Sequence, residues 1–196
     1  MGLANYVYKG NVLTKKECNL LIKEGSKDLE QGTMFKGGNK SFKDLGRRNS
    51  NVSFYRNGSS ALSIIKKVFT EIRFISLELY GTYITHLEPV QYSEYEKGMF
   101  YSWHTDLSND ISRPLERDMS ASLVLSNKNE YTGGSLQMVT PDCISKDNIF
   151  VPQDVEDQEQ GTLILFPSSM IHQVTPVLSG VRKSLVLWTC SKIKPA

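Results

Sequence analysis

No stretch of this 196-residue chain comes near the roughly 18 consecutive apolar residues that a membrane span requires, and its first residues lack the basic-then-apolar layout of a signal peptide. The expected location is therefore the cytoplasm, with no membrane partner. Cysteine is scarce. Cys18, Cys143 and Cys190 are odd in number and far apart, which argues against a disulfide framework and fits a reducing compartment. Their spacing also suits no structural zinc site. Charge of one sign is missing too: Lys and Arg number 23 against 21 Asp and Glu, so no overall field marks a nucleic-acid binder. No repeat or linker divides the chain, so one domain over residues 1–196 is expected, long enough to bury a core. The sequons at Asn51 and Asn57 would matter only in a secreted protein and are read as chance.

What is present falls into two halves. Thr14 to Glu17 form a capping box ahead of Cys18, Leu21 and Ile22 at helical spacing, so a first helix to about Leu29 is expected. From Gln31 to Gly58 the chain is rich in Gly, Lys, Asn and Ser and predicts no regular element, only a long mobile surface segment. Ser59 or Ser60 can cap a second helix to about Tyr80, with Leu62, Ile65, Phe69, Ile72 and Leu79 repeating every three to four residues and Gly81 as its stop. After Gly81 come short β-branched and aromatic runs at 83–95, 99–105, 119–126, 134–139, 161–166, 171–177 and 182–190. Helices followed by many short strands predict an α+β, mainly β fold, with the helices on one side of a β-sandwich or jelly roll.

Within the second half, His104 and Asp106 stand two apart at the end of a predicted strand, where period-two geometry sends both to one face. Such a triplet alone is weak evidence. Gly161 to Pro167 then read as a buried strand stopped by proline, with His172 opening the next strand and Arg182 ten positions on. Two histidines and one carboxylate on one face leave three adjacent coordination positions open, which suits Fe(II) that must bind a bidentate cosubstrate and dioxygen. The planar fork of Arg182 could take the far carboxylate of a dicarboxylic cosubstrate. Ser184 and Trp188 share its strand face and add a hydroxyl and an apolar wall. His86 has no partner at ligand spacing and receives no role; Tyr92 and Phe100 read as sheet packing, and Met99, Met119, Met138 and Met170 as core filling.

Gln91-x-x-x-Tyr95-x-x-Gly98-x-x-Tyr101-x-x-His104-x-Asp106, then Gly133-Gly134-x-Leu136, then Gly161 through Pro167, His172, Pro176, Gly180, Arg182 and Trp188 together resemble the Fe(II)/2-oxoglutarate-dependent oxygenase superfamily, in its prolyl/lysyl hydroxylase-like branch. The resemblance implies a double-stranded β-helix core over 81–196 supported by 1–80. It further implies Fe(II) held by His104, Asp106 and His172, with 2-oxoglutarate and O2 as cosubstrates and ascorbate as an auxiliary reductant. Arg182 would bind the remote carboxylate, Tyr95 would donate a hydrogen bond to it, and Tyr101 and Trp188 would line the pocket. Two features depart from relatives: animal collagen-type enzymes carry Lys at the place of Arg182, and bacterial hydroxylases often carry Glu at that of Ser135. The first moves the match towards bacterial and phage-like members. Nucleic-acid demethylases carry a second Arg where Trp188 stands, so no base-repair role is expected.

By the same resemblance the reaction is hydroxylation of proline in a peptide or protein, with release of succinate and CO2. Trp103 and Tyr101 would wall the pocket. Loops 31–57 and 107–117 are the expected substrate-facing segments, with Arg47 and Arg48 in a flexible lid. Three alternatives stay open on the residues alone: a hydroxylase of a free amino acid or other small molecule, a cupin-like metalloenzyme that uses no 2-oxoglutarate, and a non-enzymatic β-sandwich binding module.

Overall fold

The computed structural model describes residues 6–35, 41–56, 58–107, 115–140, 153–155 and 158–191. Along the chain, β1 (Val7–Lys9) leads to α1 (Lys15–Gly25), then β2 (Glu30–Gln31), β3 (Met34–Phe35), β4 (Ser41–Phe42), β5 (Arg48–Asn49), β6 (Asn51–Phe54) and α2 (Leu62–Tyr80). The second half runs β7 (His86–Leu87), β8 (Gln91–Tyr95), β9 (Phe100–His104), β10 (Met119–Val124), β11 (Tyr131–Gly133), β12 (Leu136–Met138), β13 (Gln153–Asp154), β14 (Leu163–Pro167), β15 (His172–Val174), β16 (Val177–Gly180) and β17 (Arg182–Cys190).

Two antiparallel sheets face each other. The larger has the order β1-β14-β10-β17-β8-β6-β2, with β7 paired to β17, and the smaller has the order β13-β12-β15-β9-β5. Period-two alternation gives the larger sheet two working faces. Leu185 and Leu187 of β17, Leu163 and Leu165 of β14, and Tyr92 of β8 turn outward onto the helices, joining Cys18, Leu21, Ile65, Val68 and Ile72 in one core. The residues between them face the smaller sheet. There Ile164, Phe166, Leu136, Met138 and Val174 form a second core, on which the functional cavity sits.

Thr14 caps α1 through the full capping box with Glu17. The helix ends at Gly25, short of the expected Leu29: Ser26 is its C-cap and Asp28 takes the left-handed region, while Gly25 packs where a Cβ would strike the Tyr92 ring. α2 starts at Leu62 without a side-chain cap, although Ser59 Oγ accepts from Ala61 N. It stops at Gly81, as expected, in the left-handed conformation. Leu79, expected on its buried face, is 54% exposed; Ile65 and Ile72 are buried as expected, joined by Ile64, Val68 and Ile75. Among the described residues, no helix is long and apolar enough to cross a membrane. Cys18 and Cys190 are buried, and burial pushes the Cys18 thiol up to about 11. Cys143 and Asn57 lie outside the described residues.

The expectation of an irregular segment from Gln31 to Gly58 is overturned. β2 and β6 extend the larger sheet through the pairs Glu30–Val52 and Val52–Ser93, and β5 edges the smaller one. Gly and Asn hid these strands because each is two to four residues long and gains its stability from cross-strand partners rather than from local preference. Positions 36–40 of the segment lie outside the described residues.

Gly161 ties the N-terminal segment to the jelly roll. Its carbonyl accepts from Val12 N and Leu13 N, at 3.0 and 3.3 Å, while its own N–H donates to Val124 O at 2.8 Å. Its φ is +86°, and a Cβ there would run into the Leu13 carbonyl. Gly161→Ala is expected to lower the stability by about 2–4 kcal/mol, combining left-handed strain with the clash. Gly98→Ala, at φ +82° with open space around it, should show only the strain component. Urea midpoints for the two variants check this, and equal losses would contradict the clash.

Candidate active site

Between the sheets lies a cavity of about 910 Å³. His104 closes β9 and His172 opens β15, and the antiparallel register sets them directly opposite each other, with ring centroids 4.1 Å apart. Asp106 follows two residues after the strand, its backbone N–H donating to Ser168 O at 2.9 Å. His104 Nε2 is 3.8 Å from Asp106 Oδ1, and His172 Nε2 is 3.6 Å from Asp106 Oδ2. One ligand atom from each residue falls within 4.8 Å of the others.

The tautomers follow from the backbone. Nδ1 of His104 lies 2.8 Å from Ser102 O, and Nδ1 of His172 lies 2.9 Å from Met170 O. A carbonyl only accepts, so each Nδ1 carries a proton and Nε2 of each ring is left on the side of Asp106. Such hydrogen bonds are the usual orienting contact of metal-bound imidazoles. Burial, reinforced by the neighbouring His172, pushes His104 down to about 3. Asp106 is held below the usual carboxylate range by the two imidazoles, a hydrogen bond from Ser120 and the Arg117 charge, which together outweigh its burial. Burial thus favours a neutral His104 beside the Asp106 carboxylate, a pair that can take up a divalent cation without first losing a proton.

A β-bulge determines which aromatic joins them. Between the His172–His104 and Val174–Tyr101 pairs, β9 carries one residue more than β15. Tyr101 and His104, three apart, therefore both reach the cavity, and their rings stack at 3.6 Å and 13°. Strict alternation would have grouped Tyr101 with Trp103 on one wall. Trp103 does not line the cavity, which corrects its expected role.

The opposite wall is the inner face of β17, β8 and β6. Arg182, Ser184, Val186 and Trp188 alternate along β17, with Tyr95 beside Arg182 on β8 and Gln91 beside Val186. Arg182 is 1% exposed. Its Nη1 donates to Ser184 Oγ at 3.1 Å, its Nε is buried without a partner, and no carboxylate pairs with it among the described residues. Its guanidinium lies 5.6 Å from the Tyr95 ring centroid. Gly134 makes room for the arginine stem: its φ is +62°, and a Cβ would press on Val177 at 2.8 Å and Arg182 Cδ at 3.1 Å. A buried cation without a counter-charge is expensive unless a ligand supplies one. Two nitrogen ligands, one carboxylate and an unpaired buried arginine thus fit a divalent metal together with an anionic chelator.

At the other end Trp188 meets residues the sequence gave no reason to single out. Arg117 lies 4.0 Å over the Trp188 ring, holds Glu88 through two contacts of 2.8 and 2.6 Å, and reaches Asp106 O at 3.3 Å. Ser120, inward on β10, has no sequence signal beyond alternation. Of the two expected substrate loops, Thr33, Phe42, Arg47, Arg48, Val52 and Phe54 from one and Leu107 and Arg117 from the other line the cavity. Positions 108–114 lie outside the described residues. Arg48, expected in a flexible lid, is instead built into β5 and 7% exposed.

The depressed His104 value carries a stability consequence. Between pH about 6.5 and about 3 its imidazole is protonated in the unfolded chain but not in the fold, so the unfolded state binds more protons and stability falls as pH drops through that window. Metal-free protein should lose stability progressively on acidification below pH 6.5, with a shallower slope in His104→Gln. Denaturation midpoints from pH 7 to 4 measure it, and parallel slopes would contradict it.

Residues 90–190 match the family model for the 2OG-Fe(II) oxygenase superfamily. A PKHD-type hydroxylase of Shewanella oneidensis is 28% identical over 186 residues, covering 94% of this chain and 77% of its own. Among solved structures, a Pseudomonas putida prolyl-4-hydroxylase superposes with a TM-score of 0.71 at 21% identity, covering 96% of this chain and 93% of its own. A prolyl hydroxylase of Trichoplax adhaerens, in complex with a hypoxia-inducible-factor peptide fragment, gives 0.72 at 17%, covering 95% and 84%. These likenesses identify the fold as the double-stranded β-helix expected from the sequence. The chain belongs to the 2OG-Fe(II) oxygenase superfamily and is a dioxygenase dependent on Fe(II), 2-oxoglutarate and O2.

Proposed function

We propose that this enzyme hydroxylates proline in a peptide or protein in the cytoplasm, as a single domain in which His104, Asp106 and His172 hold Fe(II) and Arg182, Ser184 and Tyr95 bind 2-oxoglutarate. The observation that carries the site assignment is the pairing, in one cavity, of the His-Asp-His cluster with a buried arginine whose Nε lacks a partner. When bound, iron and 2-oxoglutarate supply an oxidant that inserts one oxygen atom of O2 into a C–H bond, with release of succinate and CO2.

The chain's own residues do the rest. Ser102 and Met170 carbonyls fix both imidazoles with Nε2 inward. Arg182 anchors the far carboxylate from the closed end, steadied by Ser184 Oγ, while the Tyr95 hydroxyl, without a protein partner among the described residues, can donate to the same group. Tyr101 on one wall and Trp188, covered by Arg117, on the other exclude water from the reacting carbon and restrict its approach. The substrate is read from the hydroxylase relatives and from the mouth, where Phe54 (51% exposed), Leu107 (40%) and Phe42 (36%) open an apolar lip to solvent, suited to an extended chain.

Iron-loaded protein incubated with 2-oxoglutarate and paired peptides containing proline or alanine should form succinate and add one oxygen to the proline member alone. Succinate without oxygen gain on any proline peptide would refute the substrate. Arg182→Ala should weaken 2-oxoglutarate binding at least about 10-fold, because a charge-assisted hydrogen bond contributes about 1.5–3 kcal/mol, while leaving iron affinity in place. Unchanged cosubstrate affinity in an equilibrium titration would refute the arginine's role.

A further inference from the structure

Arg182 is not the only buried cation in the cavity. Arg48 is 7% exposed, and no carboxylate pairs with it among the described residues. Its Nε donates to Ser50 Oγ at 2.9 Å, one Nη to Thr33 O at 2.9 Å and the other to Gln91 Oε1 at 3.4 Å. All three acceptors are neutral. A guanidinium has five N–H groups, so two remain after these contacts. The arm is held firmly: Arg48 pairs with Tyr101 across the β5–β9 ladder, and a Cβ on Gly32 would come within 2.7 Å of Arg48 Nε and Ser50 Oγ. Its charge lies 4.8 Å over the Tyr101 ring, and that ring stacks on His104 at 3.6 Å. Arg48 therefore stands one aromatic ring away from the metal cluster.

Among the described residues, the charges lining the cavity do not cancel. Arg117 is matched by Glu88, Asp106 belongs to the cluster with the two histidines, and Arg182 faces the cosubstrate in the function proposed above. Arg48 is left over inside and Arg47, exposed, at the rim. Water can screen Arg47, but it cannot do the same for a group as enclosed as Arg48.

We propose that Arg48 is the base of a second carboxylate subsite, separate from that of Arg182, and that the substrate carries an acidic group next to the carbon that is hydroxylated. The inference rests on the function proposed above for Arg182 and the metal cluster. In a polypeptide the group is the side chain of an Asp or Glu flanking the target residue, since neighbouring residues of an extended chain are only about 3.3–3.6 Å apart along its axis. A free acid offers the same carboxylate chemistry. The remaining Arg48 N–H groups bind it as a charge-assisted pair, and Gln91, already in contact with the guanidinium, fixes the fork's plane.

The test compares acid with amide. Proline peptides differing only in Asp or Glu against Asn or Gln beside the proline are assayed for oxygen gain, with free acidic amino acids and their amides as a parallel arm. Wild type should prefer the acid at least 10-fold in kcat/KM, and Arg48→Gln should bring the ratio near one. A wild-type ratio near one, or a preference that survives in Arg48→Gln, overturns the subsite. If Arg48→Gln does not fold, Arg48→Lys, which keeps the charge, must retain a ratio well above one; a ratio of one there overturns it equally. Succinate formation with no oxygen gain on any peptide defeats the polypeptide reading instead, and the small-molecule arm then decides Arg48 by the same ratio.

Discussion

The cavity depends on one cross-strand register, His172 opposite His104 at the meeting of β15 and β9. Side chains alternate with period two along a strand, so a slip of one residue in either would send an imidazole to the far face and leave Asp106 beside a single histidine. Ser102, two residues before His104 on the paired strand, supplies one orienting acceptor, and Met170, in the turn that leads into β15, supplies the other. Bulge and ligand separation are thus consequences of one hydrogen-bonding pattern.

The larger sheet makes the complementary demand. Its outer face, with Leu185 and Leu187, packs on the helices and holds β17 rigid, so its inner face can carry Arg182, Ser184 and Trp188 at strand spacing over the cluster. Keeping Arg182 buried with no carboxylate partner among the described residues costs stability, and the packing of two cores offsets that cost. The arrangement is what a site for a dianionic cosubstrate requires: charge already desolvated and aimed before the ligand arrives.

Much of this was legible in the residues, for particular reasons. The spacing of His104, Asp106, His172 and Arg182 survives into geometry because strands translate sequence offsets directly into shared faces. The second helix and its Gly81 stop were equally readable. Trp103 misled because a bulge breaks alternation, and nothing local announces a bulge. The strands between residues 30 and 54 were hidden because pairs of two to four residues are stabilised by partners distant in sequence, and Arg48 could not be known as buried until Tyr101 and Gln91 were brought against it. Arg117 and Glu88, 29 positions apart, meet only through the fold.

The central claim is that His104, Asp106 and His172 form one iron site built as a unit. Anaerobic titration of Fe(II) into the metal-free protein and into His104→Ala, Asp106→Ala and His172→Ala tests it most directly, with circular dichroism confirming that each variant is folded. The account predicts one site per wild-type chain and a loss of affinity of at least about 10-fold in each variant. Wild-type affinity retained in any folded variant would contradict it.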